Sequence, residues 1–231
     1  MQIVFTVLLP VLLVLTIVYA ARRDRKRDLD RSQAREAWAR RQSLKLLDPV
    51  NPDAGIFSRR RDQVPTDRYK DLTPISPLSA GSAINFIEGQ VAGRQVRVFD
   101  HRYVVSTGKS SHVVYHGVVA VSFSAQTPSF ELRPHRFWDK VNAMFGKRDI
   151  ELGYTDLDEM FYISADDERF IQTLIDPQTE LRLRDQPKTR MACQDSNTVM
   201  LQRKLCTDQD FDAMLETALW LAARIEAQQK R

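Results

Sequence analysis

The sequence predicts an α+β fold: an N-terminal transmembrane helix, then an antiparallel sheet with packed helices, closed by a long C-terminal helix. Three observations predict it. Ile3 to Ala21 is an uncharged run rich in Val, Leu and Ile. From Ala83 onward, short runs of alternating hydrophobicity are separated by turn residues, without the strand-helix-strand rhythm of a parallel sheet. Thr207 to Gln228 then carries apolar residues at helical spacing.

Composition narrows the class. Apolar residues make up 43% of the 231 residues, enough for a packed core, and the 28% that are charged exclude a multi-span membrane protein. Two cysteines are too few for a disulfide scaffold or a four-thiolate zinc site.

The first element reads as a membrane anchor. As a helix, the run from Ile3 to Ala21 spans about 28 Å, close to the hydrocarbon thickness of a bilayer. Pro10 is tolerable in such a helix. Arg22, Arg23, Arg25, Lys26 and Arg27 follow it directly. Basic flanks stay on the cytoplasmic side, so the C-terminal domain is expected in the cytoplasm, on a single pass through the inner membrane. The same five residues are expected to touch anionic lipid headgroups. A cleaved signal peptide is the rival reading, since Val18-Tyr19-Ala20 has small residues where a peptidase looks. It lacks a basic n-region, and arginines follow at once.

Arg22 to Leu47 has neither Gly nor Pro and is rich in helix formers, so a basic juxtamembrane helix is expected. It reads as solvated, or as lying on headgroups with Trp38 at the interface. From Asp48 to Ser82 half of the ten prolines gather, and the apolar residues show no period. That stretch is expected to be an extended linker.

The folded domain is expected over 83–231. Ile84 to Val91 and Gln95 to Ser106 read as strands around Ala92-Gly93-Arg94. His112 to Ser124 is a third, beyond the turn Thr107-Gly-Lys-Ser-Ser111. Phe130 to Arg133 and Asp149 to Leu152 are short strands. Between them Pro134 to Phe145 gathers Phe137, Trp138, Val141, Met144 and Phe145 on one helical face. Met160 to Ser164 reads as a strand and Asp166 to Ile175 as a helix. Leu181 to Arg184 fits a strand or a helix end. Met191 to Gln194 and Val199 to Lys204 pair around Asp195-Ser196-Asn197.

The charge is unevenly placed. Residues 22–70 hold 15 Lys/Arg against 8 Asp/Glu, a net of +7. The remainder holds 19 against 22, a net of −3. The folded part is therefore not a nucleic-acid-binding surface, and the basic segment points to the membrane.

The run Val98-Phe-Asp-His-Arg-Tyr103, the turn Thr107-Gly-Lys-Ser-Ser-His112 and the segment Phe130-Glu-Leu-Arg-Pro134, with Phe137 and Phe145-Gly146, resemble a family of bacterial membrane-anchored proteins of unknown function. The resemblance covers roughly Glu88 to Ala165. It implies an architecture and a bacterial source, and no catalytic residue.

Chemical motifs are sparse. His112 and His116 stand four apart, but on a strand that is about 13 Å, too far to share a metal. No metal or cofactor is expected. Thr107-Gly-Lys-Ser-Ser lacks the upstream glycine and following helix of a phosphate loop. Cys193 and Cys206 read as ordinary reduced thiols. Asp166-Asp167-Glu168 suits a helix start.

A five-residue turn would set Arg102 opposite His116, with Asp100 on the same face. Asp100, Arg102 and His116 then form a polar cluster, either a cross-strand ion network or a proton-handling site. On the last helix Trp220 lies about 180° from Phe211, among Glu216 and Arg224, and is expected to be accessible to a partner unless another element covers it. The leading functional expectation is a membrane-tethered binding or adaptor module for a protein or lipid. The alternative is an enzyme built on Asp100, Arg102 and His116.

Overall fold

The structure, a computed structural model, describes residues 2–49, 66–108, 110–135 and 150–229, with side chains of the first helix described from Val11 onward. Helix α1 is unbroken from Gln2 to Arg41. The strands are β1 (Lys45–Leu46), β2 (Ser82–Val91), β3 (Arg94–Ser106), β4 (Ser111–Ser122), β5 (Phe130–Pro134), β6 (Phe161–Ala165), β7 (Thr189–Gln194) and β8 (Asn197–Gln202). The other α-helices are α2 (Thr155–Met160), α3 (Glu168–Leu174), α4 (Pro177–Arg184) and α5 (Asp208–Gln229). The strands form an eight-stranded sheet in the order β1-β2-β3-β4-β8-β7-β5-β6. Every pairing in it is antiparallel. The α+β class and the long terminal helix are as the sequence predicts.

Alternation along each strand sends side chains to two faces. Val96, Val98, Val119, Val121, Leu132 and Met200 meet the buried face of α5, where Phe211, Met214, Ala218, Leu221 and Ile225 lie. Phe99, Val118, Ala120, Val199 and Leu201 point the other way and form a second core with Tyr69, Leu72, Ile75 and Leu78.

The structure departs from the sequence reading in three places. Residues 66–81 are not a linker: two short 3₁₀ turns, Thr66–Arg68 and Lys70–Leu72, strap across the sheet and bury Tyr69, Leu72, Ile75 and Leu78. Those apolar residues recur every third position, the 3₁₀ period, which a search for 3.6 or 2 misses. Residues 50–65 of the expected linker lie outside the described residues. The second departure is the juxtamembrane helix: it continues from the apolar run as expected, but it ends at Arg41 and is not solvated along its length. Its stripe Ser32, Arg35, Trp38 and Ala39 is buried, with Trp38 fully so. Third, the packed unit therefore begins well before Ala83.

Two expected elements fall elsewhere. The helix Pro134 to Phe145 lies outside the described residues beyond His135. Ile150 to Leu152 is not a strand, although the Ile150 N–H donates to the Ile163 carbonyl at 3.0 Å.

Among the described residues no helix is long and apolar enough to cross a membrane. The expected span from Ile3 to Ala21 lies partly outside them, because side chains are described only from Val11.

Candidate functional site

The docking of α1 builds the most polar part of the interior. Arg35 is buried beneath the sheet's helix-bearing face. Its Nη1 donates to Asp208 Oδ1 at 2.9 Å and its Nη2 to the Cys206 carbonyl. Its Nε lies 3.9 Å from Asp100 Oδ2, and its guanidinium stacks over Phe211 at 4.4 Å. One turn on, Trp38 Nε1 donates to Asp212 Oδ1 at 2.8 Å and Arg41 Nη2 to Asp208 Oδ2 at 2.7 Å. The basic end of one helix thus meets the acidic first turns of another, which the two helix dipoles also favour.

The local sequence explains why this node forms. Asn85 sits at a register shift between Ile84 and Ile87 with φ +52°, a left-handed conformation that Asn tolerates. Its Nδ2 donates to Asp100 Oδ2 at 2.7 Å, and its backbone N–H donates to Asp48 Oδ2 at 2.9 Å. Asp100 pairs across the sheet with Gly117, where an added Cβ would collide with Cys206 Sγ. The loop before α5 is pressed onto the strand at a point only Gly leaves open.

The expected cluster of Asp100, Arg102 and His116 is not assembled. Ser106 pairs with Ser111, and Thr107 N–H donates to the Ser110 carbonyl at 2.9 Å, so the turn holds four residues, not five. One residue of slip flips every side chain. Arg102 therefore faces Tyr115, Asp100 faces Gly117, and His101 faces His116. Asp100 and Arg102 point toward α1, with Arg102 exposed. His116 points to the opposite face.

On that opposite face sits an aromatic group the sequence reading missed. His101 and Tyr103 have ring centroids 5.8 Å apart, and Tyr103 stacks on His116 at 5.6 Å with planes 19° apart. A correct turn length would have revealed it. His101 is fully buried. Burial holds its pKa down at about 4, against a small opposing effect of the Ala80 backbone. It is neutral near pH 7.

The two thiols are buried as well. Burial pushes Cys193 up to about 11 and Cys206 up to about 12, so neither is a nucleophile near neutrality. No group of three or more His, Cys, Asp or Glu side chains able to hold a metal occurs among the described residues.

A cleft of about 400 Å³ with a mixed lining opens beside the strap, between Ile75, Ser76, Phe130, Glu131, Ala192 and Arg190. Its charges are spent within the fold: Arg190 Nε pairs with Glu131 Oε1 at 2.7 Å, and Arg190 Nη1 donates to the Ser76 carbonyl. Of the acidic trio nearby, Asp167 caps α3, its Oδ1 accepting the Phe170 N–H at 3.1 Å.

Trp220 is off the core stripe, as the helical wheel predicts, yet it is only half-exposed. Arg182 of α4 stacks over its ring at 4.5 Å and Arg224 lies 6.0 Å from it. Its Nε1 points to Thr179 Oγ1 at 3.5 Å. Another element of the chain covers part of it.

The first half of α1 is different in kind. Val11, Leu12, Leu13, Val14, Leu15, Ile17 and Tyr19 are all exposed, Leu12 at 64%. Beyond them Arg22, Arg23, Lys26 and Arg27 are exposed and Arg25 is half-buried. Burial of the helix begins only in the following turns. A helix that is apolar on every side at one end and locked into a core at the other has a use for both ends.

No known protein family matches the chain, and no curated protein is similar to it. Among solved structures it is similar to the crystal structure of the mycobacterial trehalose monomycolate transport factor A, TtfA. The likeness covers 84% of this chain and 93% of that chain, at 14% identity and a TM-score of 0.54. It is a likeness of fold.

Proposed function

We propose that the chain is a membrane-tethered binding module, held by the first half of α1 with its α+β domain in the cytoplasm, and that it serves lipid handling at the bilayer. The observation that carries this reading is the double character of α1. Its exposed apolar residues from Val11 to Tyr19 have no place in water. Its buried residues from Ser32 to Ala39 make the same helix part of the domain core. The sequence extends the apolar run back to Ile3, which brings it to membrane-spanning length. The exposed cations from Arg22 to Arg27 set the orientation and suit anionic headgroups. The fold likeness to a trehalose monomycolate transport factor is what suggests lipid handling as the role. A protein partner in that task is part of the proposal. The dispersal of Asp100, Arg102 and His116 removes the geometric basis of an enzyme at that position.

Protease added to spheroplasts tests orientation. The reading predicts that the domain stays whole until the membrane is permeabilised. Digestion before permeabilisation would contradict it.

A further inference from the structure

The ribbon formed by β3 and β4 extends past the rest of the sheet. β2 stops pairing at Ser82 opposite Arg102, and β8 stops at Gln202 opposite Gly117. Beyond those positions Tyr103↔Val114, Val104↔Val113, Val105↔His112 and Ser106↔Ser111 pair only with one another. A two-stranded ribbon of about 13 Å results, covered on one face only at its root, where Val114 is buried. Such a ribbon is marginal in water unless something else supports it.

Its direction is set by α1. Arg35 lies over Asp100, at 3.9 Å. Arg31, four residues earlier, lies 5.9 Å from the ring of Tyr115, which is opposite Arg102. Four helical residues advance about 6 Å, and two strand residues advance about 6.6 Å. Helix and ribbon therefore run side by side, toward the N-terminus of α1. The further 13 Å of ribbon corresponds to about nine helical residues. That brings Ser106 and Ser111 level with Arg22, at the foot of the apolar run.

The chemistry of the ribbon suits that depth. Val104 is 61% exposed and Val113 41%, both on the face toward α1. Between Asp100 and Glu131 the sequence has no acidic residue. Exposed Arg102 and Arg203 flank the ribbon's root.

We propose that the tip of the β3–β4 ribbon, through Val104 and Val113, is a second contact with an anionic phospholipid leaflet. Together with α1 it fixes how the domain stands on the membrane. This rests on the tether reading and goes beyond it, because a single helix leaves the domain free to tilt. Apolar side chains at the tip enter the interfacial zone, the hydroxyls of Thr107, Ser110 and Ser111 meet headgroups, and the absence of carboxylates avoids repulsion.

The test uses the full chain in vesicles of phosphatidylcholine and phosphatidylglycerol that carry a headgroup nitroxide. Single cysteines at Tyr19, Val104, Val113 and Ala223 are labelled in turn with a small fluorophore. The native thiols are buried and protonated, so the introduced one reacts first. Quenching is expected at positions 19, 104 and 113, several-fold above that at 223, which is exposed on α5 far from the ribbon. Omitting phosphatidylglycerol is expected to weaken it at 104 and 113 and to leave it at 19. Quenching at 19 with none at 104 or 113 would overturn the ribbon contact and leave the tether standing. No quenching at 19 would overturn the tether and with it this inference. Equal quenching at 104 in purely neutral vesicles would overturn the preference for anionic lipid.

Discussion

Arg35 shows how a single side chain ties three elements together. A buried guanidinium is costly unless its hydrogen bonds and charge are answered nearby. Asp208, the Cys206 carbonyl and the face of Phe211 answer it from α5 and the loop before, with Asp100 of β3 close by. His101, on the opposite side of the same strand, behaves otherwise. With its pKa at about 4, below the ordinary 6.5, the folded protein resists protonating it. The unfolded chain takes up the proton first as pH falls. This contribution to stability is whole above about pH 6.5, declines from there to about pH 4, and is flat below. A difference of about 2.5 pH units corresponds to about 3 kcal/mol. Denaturant midpoints measured across this window should fall toward acid for the wild type and less steeply for His101→Leu. Parallel profiles would show that other groups carry the acid sensitivity.

Among the elements, α1 and the strap at residues 66–81 were the least legible in the sequence. The hairpin β2–β3, the pair β7–β8 and helix α5 could be read because turn residues and periodic apolar residues agree there. The stripe that docks α1 mixes Ser32 and Arg35 with Trp38 and Ala39, so no apolar face announces it. The strap advertises prolines and hides a three-residue period. The polar cluster failed for a smaller reason, a turn one residue shorter than assumed, with all of its members correctly placed on strands. The weight of the α1 contact is testable. Trp38 is fully buried, packs on Phe211 at 5.8 Å and bonds Asp212. Trp38→Ala should cost about 3–5 kcal/mol in chemical denaturation. A cost below about 1 kcal/mol would mean that α1 is not part of the core.

At the scale of the molecule, the sheet is covered on one face by helices that include α1 and on the other by the strap. A fragment that begins at Ala80 loses Trp38 and Leu44 from one face, the edge strand β1, and Tyr69 to Leu78 from the other face. It should be aggregated or molten, whereas a fragment beginning at Asp28 should melt cooperatively. A cooperative melt of both would show that these layers are accessory. The same helix that closes the core carries the apolar run, so any tilt of α1 in a bilayer is passed to the whole domain. Membrane attachment through α1 underlies all of this. The most direct measurement is alkaline carbonate extraction of membranes from cells that express the full chain, with the variant Leu12→Arg/Leu13→Arg/Leu15→Arg beside it. Charges at those positions, each costing about 2.5–3.5 kcal/mol in the bilayer, oppose insertion while leaving the docked half of α1 untouched. The wild type should stay in the pellet, and the triple variant should be released as a folded protein. Release of the wild type by carbonate would contradict that attachment.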